Sequence, residues 1–484
     1  SAGWAGATTG DIEVLAGATA RLNVQLDKAI TGGDLGTNRL IVADTAGLAN
    51  GQVVVGTGIP QGTTITGINL GTRELTLSAN LTAAAGGTLQ VANGVSATGV
   101  FVGAGTIVKQ GIGALTLNTP TTAFSGTYRS DAGTTNLVAD NLFGNPAVVG
   151  QPIAAVDLRG TSVLNVQAGT DQVFRNLSGE AGSSIVFADL GSVVTLQVDP
   201  VGNYSFAGRF QQAPGVTDGT IVKTGTGTLT LAPTAGSNSL DAIVVTAGKL
   251  VGTTAGFATA DLYVGTAGNV AFHNATAGTT VTFNNTVLGA ENYQAGLGVG
   301  TVGKTGAGIV ELTAAADNLR FNVEAGELRL TDSRLGEQDL FTAVIASGAT
   351  LSLALADNRR IGSLVPPSGS QISGGGILDL RSDVASVART VFAYAQPGVA
   401  TTNLGADITL DVSTLTEITG ITGAADSILD LGAAAPGRTL SLTQSVDGVF
   451  AGDLQGTTDL IVKGTGMLRY TGAALTLPDR KSVV

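Results

Sequence analysis

Four lysines that each precede a pair of glycines, and one histidine, are the side chains whose types and spacing could carry chemistry. The lysine segments read GTIVKQGIGALTLNTP from Gly105, GTIVKTGTGTLTLAPT from Gly219, GTVGKTGAGIVELTAA from Gly300 and TDLIVKGTGMLRYTGA from Thr458. In the first three the glycines follow at two and four places: Gly111 and Gly113 after Lys109, Gly225 and Gly227 after Lys223, Gly306 and Gly308 after Lys304. The fourth has lost a residue, so Gly464 and Gly466 follow Lys463 one place early. A phosphate loop would end in G-K-[ST] ahead of a helix, and these segments do not. His273, in NVAFHNAT, is the only imidazole, and there is no cysteine. A zinc ion there would have to rely on carboxylates. No G-x-S-x-G elbow accompanies it for a serine triad. It reads as a surface or turn residue.

Carboxylates come next, because glycosidic cleavage needs two or three acids converging on one face. Asp157, Asp189, Asp199, Asp241 and Asp261 are scattered, and an isolated aspartate beside glycine is ordinarily a turn residue. GGGILDLRSD, from Gly374, faintly resembles the glycine-aspartate nonapeptides that bind calcium, but those sites need stacked copies, and a turn is the better reading. Thr226, Thr228 and Thr230 would line a solvent face, as threonine does in ordinary exposed strands. The sequence therefore assigns no catalytic residue, no cofactor and no metal, and the expectation is a protein that is not an enzyme.

The elements around the lysines are β-strands. K-x-G-x-G is a tight turn, where glycine takes positive φ without strain. After it the chain alternates: Leu115 and Leu117, then Leu229 and Leu231, with threonine between. Period two puts leucine on one face and threonine on the other, a half-buried strand. An Ala-Gly and a further strand follow each of the first three lysines. The spacing is 24 residues from Lys109 to Gly133, 25 from Lys223 to Gly248 and 22 from Lys304 to Gly326. Phe-Ala-Gly or Phe-Ser-Gly recurs at Phe124, Phe206 and Phe450, with rings expected inside. A step of roughly 20–25 residues without a helical period is one coil of a β-solenoid, and the whole length would make roughly 22 coils.

Composition agrees. Charged residues are 12%, against about 25% in ordinary domains. Apolar content of 43% is mostly small and aliphatic, enough for a thin core between stacked strands. A net charge of −12 argues against nucleic acid and against an anionic membrane surface. No apolar window is long enough for a membrane-spanning helix, so no helical membrane insertion is expected. Ser1 follows neither a charged nor an apolar leader, as in an internal length of a longer rod or a chain whose signal peptide is gone. The last six residues, Asp479 to Val484, break the style of the rest and read as a non-native tail of the kind a sequencing adapter encodes.

The order K-T-G-x-G-x-L-x-L, then F-S-G, then A-G-x-L resembles the autotransporter-associated β-strand repeat. The likeness covers Phe101 to Leu330 and continues in patches to Ala474. It implies a right-handed parallel β-helix displayed outside a bacterial cell. Residues 53–81, with the turn cluster G-x-G-I-P-x-G-T, resemble a small β-module that recurs in bacterial surface and phage-like proteins. The expected division is residues 1–100 as β-coils with an inserted module, 101–330 as repeat-rich solenoid, 331–478 as its irregular continuation with a loop at Ser363 to Ser370, and 479–484 as the tail. The function expected is a structural or adhesive passenger, a stalk whose partners are surface glycans or copies of itself. The alternatives are a carbohydrate-active β-helix enzyme or tailspike-like protein, and a self-assembling surface-layer or filament subunit.

Overall fold

Alternation at period two makes strands, and a chain with little else folds by stacking them. The computed structural model describes residues 11–473 apart from 121–122, 146–147, 149, 168–170, 189–192, 198–202, 217–218, 235, 315, 318, 332–341, 362–371, 383, 385, 394–397 and 434–437. Asp189, Asp199, the loop at 363–370 and the tail at 479–484 lie outside the described residues. Strand accounts for 53% and helix for 2%, and the stacked parallel strands form a β-solenoid of about 15 turns. A helical turn, Thr254–Phe257, is capped by Thr253. Among the described residues no helix is long and apolar enough to cross a membrane. The chain divides into two compact units, residues 1–242 and 243–484.

In the first unit the strand Thr106–Gln110 pairs in parallel with Thr19–Asn23 on one side and Thr127–Ser130 on the other. Past the glycine turn, Ala114–Leu117 lies between Gly94–Ala97 and Thr134–Leu137, and the row continues through Val163–Val166, Ser184–Phe187 and Arg209–Gln212. Leu115, Leu137, Leu164 and Ile185 are buried on the inner face, while Thr116, Asn136 and Asn165 stand outside. Each buried aliphatic side chain contributes about 1.5–3 kcal/mol. A slip of one residue would turn the whole set outward. The phenylalanines lie inside as expected: Phe124, Phe206 and Phe450 are at most 1% exposed. Phe101 packs edge-on to Phe124, and Phe206 lies 5.0 Å from Phe210.

The first coil is interrupted by an antiparallel module of six strands running from Gln25–Gly32 to Gly87–Ala92. It has its own core, including Leu40, Val54, Ile65, Leu75, Leu89 and Val91. It is wider than the segment 53–81 that carries its turn signals. The module accounts for part of the shortfall from the expected coil number to about 15. Unequal coil length accounts for more. The coil that returns Lys304 to its register partner Val323 is short, whereas the one that returns Ala343 to Ile372 is half as long again.

In the second unit one row of strands runs from Thr280–Phe283 through Ile309–Leu312, Glu327–Thr331, Thr350–Leu355, Ile377–Ser382, Thr401–Leu404, Ile421–Gly423 and Gly448–Phe450 to Leu468–Tyr470. Past residue 331 the strands of this row keep their parallel pairing.

Candidate functional site

Three of the four lysines occupy the inner ladder. Lys109 lies in register between Leu22 and Ser130, Lys223 beside Leu196, and Lys304 between Phe272 and Val323. All three are 0% exposed. Among the described residues, Lys109 and Lys304 have no carboxylate partner. Each of the three side chains curls over its own glycine turn and donates to backbone carbonyls. Lys109 Nζ reaches Gly111 O at 2.8 Å, Gly113 O at 2.7 Å and, closer still, Ala132 O. Lys304 Nζ reaches Thr305 O at 2.8 Å, Gly306 O at 2.6 Å and Ala325 O at 3.2 Å. Lys223 Nζ donates to Thr224 O and Gly225 O.

Two signals that recur along the sequence thus meet in one contact. At Lys109 and Lys304 the ammonium closes its own turn and ties it to the Ala-Gly of the coil that follows. The glycine after that alanine is required: Gly133 has φ +66, and a Cβ there would stand 2.5 Å from Lys109 Nζ and from Gly113 O. Burial pulls each of the three lysines down from 10.5 to about 8. Three carbonyl oxygens around Lys109 and Lys304 act the other way, because three N–H donors and no acceptor are what an ammonium offers.

Lys463 is placed differently, and the repeat is corrected here. In the strand Asp459–Lys463 it pairs with Thr443, while Val462 pairs with the buried Leu442. The missing residue has moved the lysine to the outer face, where it is exposed and lies 3.9 Å from Glu417. Gly464 and Gly466 keep the turn, packed on Gln444 and Val446 of the preceding coil. The inner polar position there belongs to Gln444, 0% exposed, which donates to Val446 O and accepts from Ile421 N. Ahead of the Lys304 corner the same place is filled by Asn274, which donates to Thr279 O and Ile309 O. Sequence reading missed both, since an amide does not look like a lysine. Their signal is a polar residue directly before a turn at the end of an alternating strand.

The outer face carries ladders. In the second unit Glu311, Arg329, Ser352, Asp379, Asn403 and Thr422 are successive register partners. The Ser352 hydroxyl lies 2.7 Å from Glu327 Oε1 and 3.1 Å from Asp379 Oδ2. Asn403 Nδ2 donates to Asp379 Oδ1 at 2.6 Å, and Thr422 Oγ1 to Asn403 Oδ1 at 2.9 Å. Arg329 is paired with Glu327 and Glu311, and Arg381 with Asp379 and Glu327. Three acids the sequence did not bring together therefore share one face, but each is paired with arginine. In the first unit Arg129, Asp157 and Ser178 make a shorter ladder, with Arg159 on Asp157 at 2.8 Å. Asp261 accepts from Thr286 N. Asp379 stands in a strand, and the turn ahead of it, Gly374 to Gly376, packs on Ile345 and Ala346.

His273 is half-buried, and its Nδ1 lies 3.0 Å from Thr305 Oγ1. Among the described residues no group of three or more histidines or acids is placed to hold a metal ion. Thr228 and Thr230 face outward and are half-buried, and Thr226 is exposed in its turn. Comparison with protein-family models, with curated proteins and with solved structures finds no match in any of the three.

Proposed function

We propose that this chain is an extracellular, passenger-type β-solenoid of a bacterial surface, a scaffold that attaches to surface glycans or to other copies of itself. What supports the reading is how its polar side chains are used. Lys109, Lys223 and Lys304 turn inward onto carbonyls, and the acids of the outer ladders are paired with arginine along the stack. The polar groups hold coils together, while an extra module leaves the stack at a corner. The resemblance to autotransporter-associated repeats belongs to the same reading.

The alignment of Glu311, Glu327 and Asp379 on one face is the observation that favours the alternative, a carbohydrate-active β-helix enzyme. One experiment separates the two. Beads coated with purified protein are expected to attach to cells or to one another, and incubation with polysaccharides is expected to release no reducing ends. Reducing-end release that disappears in Asp379→Asn overturns the scaffold reading, as do beads that stay dispersed and unattached.

A further inference from the structure

The described aromatic rings are mostly inside. Phe101, Phe124, Tyr128, Phe143 and Phe174 are all at most 2% exposed. Tyr293 is the exception, 45% exposed and the one exposed aromatic among the described residues. Its ring packs against Tyr263, with centroids 5.1 Å apart and planes tilted by 45°. Tyr263 stands on the outward side of the strand Asp261–His273, in register with Leu288. Tyr293 comes from the excursion between the strands Val287–Gly289 and Thr301–Thr305.

Hydrogen bonds within that excursion and to the neighbouring strand close it. A short 3₁₀ turn, Ala290–Asn292, opens it, and Gln294 N donates to Ala290 O at 2.9 Å. Thr266 N, from the neighbouring strand, donates to Leu297 O at 2.9 Å. Glu291 lies across the loop and accepts from Gly296 N at 2.9 Å and Gly298 N at 2.8 Å. These amides hold its carboxyl below the usual carboxylate range. The glycines have φ of +89 and +66, so the loop closes without strain. A carboxylate used in this way fixes a platform and is not offered to a ligand. The exposed neighbours of the ring in the chain are Asn292 and Gln294, both uncharged donors and acceptors.

We infer that Tyr293, backed by Tyr263, forms a stacking platform for the ring of a neutral sugar. The inference rests on the adhesive reading and names its ligand class. A pyranose has an apolar C–H face, the complement of the face of an exposed aromatic ring. The preformed loop keeps the ordering cost of binding low. The net charge of −12 disfavours an anionic polymer as the ligand.

The test is affinity electrophoresis of the full chain in gels holding hydroxyethylcellulose, glycol chitin, xylan or dextran. Retardation is expected in at least one gel. Tyr293→Ala should weaken it about tenfold with an unchanged circular dichroism spectrum, and Tyr293→Trp should retain it. Glu291→Ala should weaken it less, by loosening the loop. No retardation in any gel, or equal retardation of Tyr293→Ala, overturns the platform. Bead attachment separates the two levels. If wild type and Tyr293→Ala beads attach to cells equally, the platform is wrong and the adhesive reading stands. If wild-type beads attach to nothing, the adhesive reading itself fails. Attachment that needs Tyr293 but survives periodate oxidation of the cell surface indicates a protein partner and overturns the sugar assignment.

Discussion

The corners at Lys109 and Lys463 are built from nearly the same words, and one residue separates their outcomes. At Lys109 a spacer stands between lysine and glycine, the side chain lies inside, and its three N–H groups meet three carbonyls. At Lys463 the spacer is gone, the turn stays where it was, and the lysine faces solvent beside Glu417. The lesson is that a strand reads residue type through parity. The glycine turn sets the phase, and counting back from it decides whether a lysine becomes a buried tie or a surface charge.

Deleting Gln110 should break the contrast most severely. It would give the first corner the spacing of the last and turn Lys109 outward. With the inward phase lost on one side of the turn, a loss of more than about 4 kcal/mol is expected. Urea unfolding, with amide exchange across the strand Thr106–Gln110, measures it, and a midpoint like wild type refutes the parity account.

Lys109→Met keeps the phase and removes the cation. The carbonyls of Gly111, Gly113 and Ala132 lose their donor, which outweighs the relief of not burying a charge, so a loss of about 2–3 kcal/mol is expected at neutral pH. The same variant tests the titration. The folded value near 8 lies below the unfolded 10.5, so the folded state binds fewer protons between them. Stability should therefore rise as pH climbs from about 8 to 10.5, by at most about 3 kcal/mol per buried lysine, and be flat in this respect below 8. Lys109→Met should show a smaller rise. An identical pH profile in both proteins would mean that the carbonyl cage holds the charge throughout.

A more local probe is Gly133→Ala. It places a methyl against the ammonium and forces φ +66 on a chiral residue, at about 1–3 kcal/mol. At the other end of the scale, Lys463→Met should change stability by no more than about 0.5 kcal/mol, since an exposed pair at 3.9 Å contributes little. A loss as large as that of Lys109→Met would show that the two corners are energetically alike after all.

Much of this was legible in the sequence. Leu115 and Leu117 alternate with threonine, and that alternation is the strand. The interval from Lys109 to the Ala-Gly at 132–133 is the hydrogen bond from Nζ to Ala132 O seen from one dimension. What stayed hidden depends on coils of unequal length. Glu327, Ser352 and Asp379 meet only because two coils of different length happen to return the chain to one face. Asn274 and Gln444 were hidden for another reason: the corner asks for a donor to carbonyls, and several residue types supply one. The Tyr263–Tyr293 pair needs a loop to fold back on a strand laid down a full coil earlier, which no local period announces.

The six-stranded module leaves the first coil at Val24 and returns at Asn93, on either side of the position where the next coil has Gly113. Gly113 N donates to Val24 O and Ala114 N to Asn93 O, so departure and return are adjacent and both stems are clamped by the coil that follows. The coil accepts an interruption of dozens of residues while the strands on either side of it, Thr19–Asn23 and Gly94–Ala97, stay in parallel register with the next coil. Such a corner is a socket: a foreign domain whose two ends lie side by side could be spliced there as cargo, and the solenoid would carry it without relearning how to fold.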